Sequence, residues 1–299
     1  MRLFKDFIVG FLTKSELSTA AGGMLLSIYV ARIYGIESLI PSFRNFLVIF
    51  AGYMVLRLYY VIYGNGIFDP AKDKFYRRYR FFLILISLFM VGSVFVLTGL
   101  DILTSSLVSI AGAVFLAGYA FPRFSAREII WLKTPWVISS WVGLIWLLPL
   151  LEINYQFFGD SKFSASEGIG DLIPVLASVT NSLPSNLLTV SALASVLLGN
   201  LLICETRDKD QVNERANLVS RFGLKLVLPI YLLILSLLAF MIWKNGSYLL
   251  APFVITGAVY ALVLRFGVTD LFRSEVFRII IELLLGLPLL LGLIFSHLI

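Results

Sequence analysis

The sequence predicts an all-α membrane protein: one polytopic domain, residues 1–299, folded as a bundle of nine transmembrane helices. Three observations carry this: an apolar composition, apolar runs of bilayer length repeated along the chain, and basic residues concentrated in alternate loops. Of the 299 residues 59% are hydrophobic and 14% charged, and the mean hydropathy is +0.93. Soluble domains carry about a quarter charged and about half apolar residues, so this chain has more apolar surface than one soluble core can hide. A water-soluble globular enzyme is excluded. Cys204 is the single cysteine and His297 the single histidine, which excludes an internal disulfide and a multi-histidine metal site. Metal chemistry here would need carboxylates.

A helix crosses the hydrocarbon with about 20 predominantly apolar residues. The opening segment MRLFKDFIVGFLTKSE has basic residues around a short apolar run, but also Asp6 and Glu16 and no small-residue cleavage site, and reads as an interfacial lead-in. The spans then follow as Ser18–Ile36, Phe43–Gly64, Arg80–Leu100, Ile102–Ala120, Ile129–Leu151, Pro184–Cys204, Gly223–Trp243, Tyr248–Phe266 and Val276–Ile299. In lipid each backbone amide must be bonded internally, and the runs lack the alternation of barrel strands, so they are helices. The longest stretch outside them, Glu152–Leu183, carries Glu152, Asp160, Glu167 and Asp171. Its apolar second half either lies along the interface or stays without structure. No repeat or linker divides the chain.

The net charge is +6 and the pI about 9.4, but position matters more than sum. Basic residues at the ends of apolar runs report insertion topology rather than a nucleic-acid partner. On one side lie Arg2, Lys5 and Lys14, then Lys72, Lys74, Arg77, Arg78 and Arg80, then Arg123, Arg127 and Lys133, then Arg207, Lys209, Arg215, Arg221 and Lys225, and finally Arg265, Arg273 and Arg278. The other side holds Arg44, Lys162 and Lys244, while Arg32 and Arg57 fall within spans. This predicts a cytoplasmic N-terminus, an outer C-terminus and residence in the cell inner membrane. Arg32 reads as snorkelling or contacting a helix; Arg57 as snorkelling or pairing with the acidic loop that follows it.

Two acidic clusters fall on the predicted cytoplasmic side. In the first, YGNGIFDPAKDKFYRRYR, Asn65, Asp69 and Asp73 are four apart, a spacing that lines three oxygen ligands along one helix face. With five basic side chains behind them they suit Mg²⁺ and a phosphate-bearing ligand. The plainer reading is a solvated helix end. In the second, GNLLICETRDKDQVNERANLVSRFG, Glu205 and Asp208 share a face, Asp210 and Glu214 form another pair, and Asn200 lies deeper, where its amide needs a polar neighbour. Facing one another across a cavity, the two clusters would make a two-metal diphosphate site.

The segment from Asn65 to Asp73 resembles the first aspartate-rich motif of the UbiA family of intramembrane prenyltransferases, NDxxDxxxD, and the segment from Asn200 to Asp208 resembles the second. Between them Tyr119-Ala-Phe-Pro122 and Leu132-Lys133 are similar to the family's Tyr-x-x-Pro and Leu-Lys stretch. The resemblance spans nearly the whole chain and implies transfer of an isoprenyl group from its diphosphate to a lipophilic, often aromatic acceptor, with Mg²⁺ as cofactor and the site open to membrane lipid but capped on the cytoplasmic side. It implies Asn65, Asp69, Asp73, Glu205, Asp208 and Asp210 as metal ligands, with Asp69 and Asp208 indispensable to catalysis. Lys72, Arg127, Lys133 and Arg207 would meet diphosphate oxygens, and Tyr119 and Asn200 would line the pocket; each basic residue alone also reads as a topology charge. Gly66 stands where the family often has Asp, and Val212 where the second motif's last Asp would fall, unless a shifted register uses Asp210 or Glu214. The alternatives are a terpene cyclase, a transferase to a sugar phosphate, and a non-catalytic polyprenyl-lipid binder. An ion-coupled transporter is disfavoured because ionisable residues are expected at loop level.

Overall fold

The computed structural model describes residues 2–63, 70–97, 129–147, 149, 172–208, 217–267 and 274–296. Among these, every regular element is helical. They are α1 (Arg2–Lys14), α2 (Leu17–Ile33), α3 (Ile40–Tyr63), α4 (Pro70–Leu97), α5 (Ile130–Val142), α6 (Leu172–Asp208), α7 (Leu218–Phe222), α8 (Leu224–Lys244), α9 (Ala251–Phe266), α10 (Glu275–Leu283) and α11 (Leu287–Ser296). A π-helical turn, Gly143–Leu147, extends α5, and 3₁₀ turns precede α9 and join α10 to α11.

Among the described residues six stretches are long and apolar enough to cross a membrane: Ile40–Tyr63, Pro70–Leu97, Asn186–Arg207, Leu224–Lys244, Tyr248–Phe266 and Val276–Ile294. They overlap the predicted second, third, sixth, seventh, eighth and ninth spans. The predicted first span is met by α2, which is shorter than expected at 17 residues. The chain leaves the helix at Gly35, where φ is 71° and the amide of Ile36 donates back to the Ala31 carbonyl; glycine takes this left-handed cap without a Cβ penalty. The fifth is met by α5 with its π turn, and Ile102–Ala120 lies outside the described residues.

The expected interfacial stretch before the sixth span needs correction. From Leu172 onward the backbone is already helical and runs without a break into α6, a single helix of 37 residues, about 55 Å long at 1.5 Å per residue. That exceeds a hydrocarbon core of about 30 Å, and the apolar sequence after Asp171 is the first part of the helix that carries the candidate span Asn186–Arg207.

Lipid tails are as apolar as leucine, so helices in a bilayer associate through close packing and interhelical hydrogen bonds. The interior is filled by Leu26, Phe50, Met54, Tyr76, Ile145, Leu193, Phe253 and Tyr260, while Phe81, Phe89, Leu233 and Trp243 point outward. Backbones come closest where small residues fall: a Cβ on Gly22 of α2 would stand 2.1 Å from the carbonyl oxygen of Glu282 on α10. Asn45 of α3, fully buried, donates from Nδ2 to Ser27 Oγ and to the Leu144 carbonyl, both at 2.9 Å. The π turn loosens the i→i−4 ladder there, so an interhelical donor finds an acceptor inside a helix. The lead-in α1 docks on α4, with Phe7 against Phe75 and Tyr79.

Candidate functional site

Glu16 occupies the turn between α1 and α2, at the N-cap of α2. Its Oε1 accepts from Nε and Nη2 of Arg57 at 3.2 and 3.1 Å and from Nζ of Lys72 at 2.8 Å. Arg57 lies in the last turns of α3 and Lys72 in the first turn of α4, the two helices that flank residues 64–69. Glu16 and Lys72 are buried, and Arg57 keeps 26% of its side chain exposed. Beside them Ser18 Oγ donates to Oε2 of Glu282, and Arg278 Nε stands 3.9 Å from the other oxygen of Glu282. Burial opposes charge on Glu16, but the cations Lys72, Arg57 and Arg278 outweigh it and hold the carboxyl well below its ordinary range. Two carboxylates and three cations from four elements thus share one buried end of the bundle.

A second ion pair sits at the end of α6. Lys133, in the first turn of α5, places Nζ 3.5 Å from Glu205 Oε1, both side chains buried. The other oxygen of Glu205 accepts from the Leu218 amide at 2.9 Å. Asn217 completes the corner: its Nδ2 donates to the Glu205 carbonyl at 2.8 Å, and its Oδ1 accepts from the Ser220 amide at 2.9 Å, capping α7. An Asn one residue before a short helix is a cap by its chemistry, and that signal was present in the sequence.

Asn200 has the polar neighbours its depth demands. Its Nδ2 donates to the Ile281 carbonyl at 3.2 Å and meets the Tyr260 hydroxyl at 3.4 Å. Helix α10 is therefore a bridge, bonded through Ile281 to α6 and through Glu282 to α2. Both helices that carry the acidic motifs, α4 and α6, are tied into polar contacts that meet on α10.

The expected site residues divide as follows. Lys72 is committed to Glu16, and Lys133 and Glu205 to each other. Asp73, half-buried in the first turn of α4, pairs with Arg77 at 2.6 Å. Arg207 is half-buried in the last turn of α6, and Asp208 is that helix's final residue. Asn65, Asp69, Tyr119, Arg127 and Asp210 lie outside the described residues. Among the described residues no three His, Cys, Asp or Glu side chains are grouped to hold a metal ion. Arg57, left open as snorkelling or pairing with the acidic loop, is engaged by Glu16.

Sequence reasoning missed Glu16, Arg278 and Glu282. The signal was there: Glu282 is a carboxylate inside the apolar run IIIELLLG, and an ionisable residue within a membrane segment is a functional candidate by default.

Fold and site together define an all-α membrane protein with a cluster of charged groups buried at one end of the bundle. No family model, curated protein or solved structure matches the chain.

Proposed function

We propose that the protein is a Mg²⁺-dependent prenyltransferase resembling the UbiA family, moving an isoprenyl group from its diphosphate to a lipophilic, aromatic acceptor, with its site facing the cytoplasm from the inner membrane. The observation that carries this reading is the Lys133–Glu205 contact. It joins two segments distant in sequence that resemble consecutive parts of the family's site.

The donor set fits a hard cation in its chemistry, since the candidates are oxygen ligands. Asp73 suits the role, because a helix i,i+4 pair such as Asp73–Arg77 is worth only about 0.3–0.5 kcal/mol and would yield to a metal. Glu205 fits less well, with one oxygen on Leu218 and the other toward Lys133. The residues that would hold Mg²⁺ are then Asn65, Asp69 and Asp73 from the first motif and Asp208 and Asp210 from the second, while Glu205 fixes the end of α6, which carries Asp208. The ion would neutralise diphosphate charge. By the same resemblance Lys133, Arg207 and Arg127 would add donors to the diphosphate, and the apolar shell would keep water from the allylic cation. In the transfer the C1–O bond breaks with its electron pair leaving on the diphosphate, and the acceptor carbon bonds to C1 and releases a proton.

The test is turnover of a labelled prenyl diphosphate by the reconstituted protein with a panel of aromatic acceptors. Asp69→Ala and Asp208→Ala should each abolish pyrophosphate release, and full activity of both variants overturns the reading. A cyclised hydrocarbon or a prenylated sugar phosphate among the products redirects it to the corresponding alternative. Val212 and Gly66 favour one second reading, a polyprenyl-lipid binder, which would hold the diphosphate and release none.

A further inference from the structure

We propose that Glu16 is a positioning residue for Asp73 of the first acidic motif, its single oxygen Oε1 clasping α3 to α4, the helix that carries Asp73. The role rests on the reading of that motif as a metal site. Oε1 accepts from Arg57 on α3 and from Lys72 on α4, at distances of 2.8–3.2 Å, and Lys72 immediately precedes Asp73. The clasp comes from a third element, and that element is itself anchored. Ser18, in the first turn of α2, donates to Glu282, and α2 packs backbone to backbone on α10 at Gly22. Glu16 therefore transmits the position of a rigid helix pair to the start of α4.

Physical chemistry gives the carboxylate a specific task. Arg57 and Lys72 bring two positive charges to one buried place, and like charges in a low-dielectric site push their helices apart. A carboxylate between them reverses that force and holds α3 and α4 at one spacing. Glutamine keeps the shape of Glu16 but removes the charge, and aspartate keeps the charge but falls one methylene short of bridging both cations. Groups that orient metal ligands without touching the metal change metal affinity by about 10–100-fold when removed.

The test uses the full chain in detergent with Cys204→Ser, nitroxide labels at the exposed positions Tyr63 and Lys74, and Mn²⁺ as a paramagnetic probe for the metal. Glu16→Gln is expected to broaden the interspin distance across α3 and α4 and to weaken Mn²⁺ binding 10–100-fold, with Glu16→Asp intermediate. Should Glu16→Gln fail to fold, Glu16→Asp, which retains the charge, carries the same comparison. An unchanged spacing in the folded variant overturns the proposal whatever the metal does, and so does a changed spacing with unaltered Mn²⁺ affinity. A changed spacing in a protein whose wild type binds no Mn²⁺ leaves the clasp standing and overturns the metal reading alone.

Discussion

A carboxylate at the mouth of an apolar bundle must be solvated or paired, and Glu16 is paired with two cations on one oxygen. Removing one partner of a buried pair costs about 3–5 kcal/mol because the other charge is left behind in low dielectric, so the cluster is a point of high consequence whatever chemistry it serves. Its pH dependence follows from the depressed carboxyl. Below the ordinary value of 4.5 the unfolded chain takes up a proton at Glu16 that the folded protein refuses, so the stabilisation is complete above that pH and is lost as pH falls further. The facing groups are Lys72 and Tyr76 of α4, Arg57 of α3, and Arg278 and Glu282 of α10. Thermal unfolding in detergent should show the gap in melting temperature between wild type and Glu16→Gln widest near neutrality and narrowing below pH 4.5. A gap independent of pH contradicts this account of the cluster.

Between helices, backbone approach decides what can be tolerated. The Cβ of an alanine at Gly22 would meet the backbone of Glu282 at 2.1 Å, whereas one at Gly52 of α3 meets nothing within 4 Å. Overpacking a close contact costs about 1–3 kcal/mol, while a helical Gly→Ala change with room to spare gains up to about 1 kcal/mol. Gly22→Ala is therefore expected to lower the melting temperature and Gly52→Ala to hold or raise it, with the same detergent and buffer for both. Since Gly22 seats α2 on α10, the first variant should also loosen the Ser18–Glu282 contact that anchors Glu16.

Across the whole molecule the helix directions set which charges can meet. Glu16 begins α2, Arg57 nears the end of α3, Lys72 begins α4, Lys133 begins α5, Glu205 nears the end of α6 and Arg278 begins α10, so alternation brings all of them to one end. The basic-residue bias predicts that this end is cytoplasmic. With Cys204 replaced by Ser, a membrane-impermeant maleimide should label Ser38→Cys in intact cells and Arg221→Cys only after permeabilisation. Both positions are exposed, and the reverse pattern inverts the topology.

Residue types alone determined the solvent of this protein and most of its helices, because a run such as LKLVLPIYLLILSLLAFMIWK has no stable state but a helix in lipid. They also predicted the side on which charges gather, and that Asn200 needed a partner. They did not predict the length of α6, because the stretch after Asp171 reads as an interfacial segment or as a stretch without structure, and only packing shows it continuing into the helix. Nor did they reveal the clasp. Glu16 is 41 residues from Arg57 and 56 from Lys72, and Ser18 is 264 from Glu282, separations at which no local pattern pairs one charge with another. Only helix packing does that, since a buried charge accepts whichever opposite charge the tertiary arrangement brings within reach.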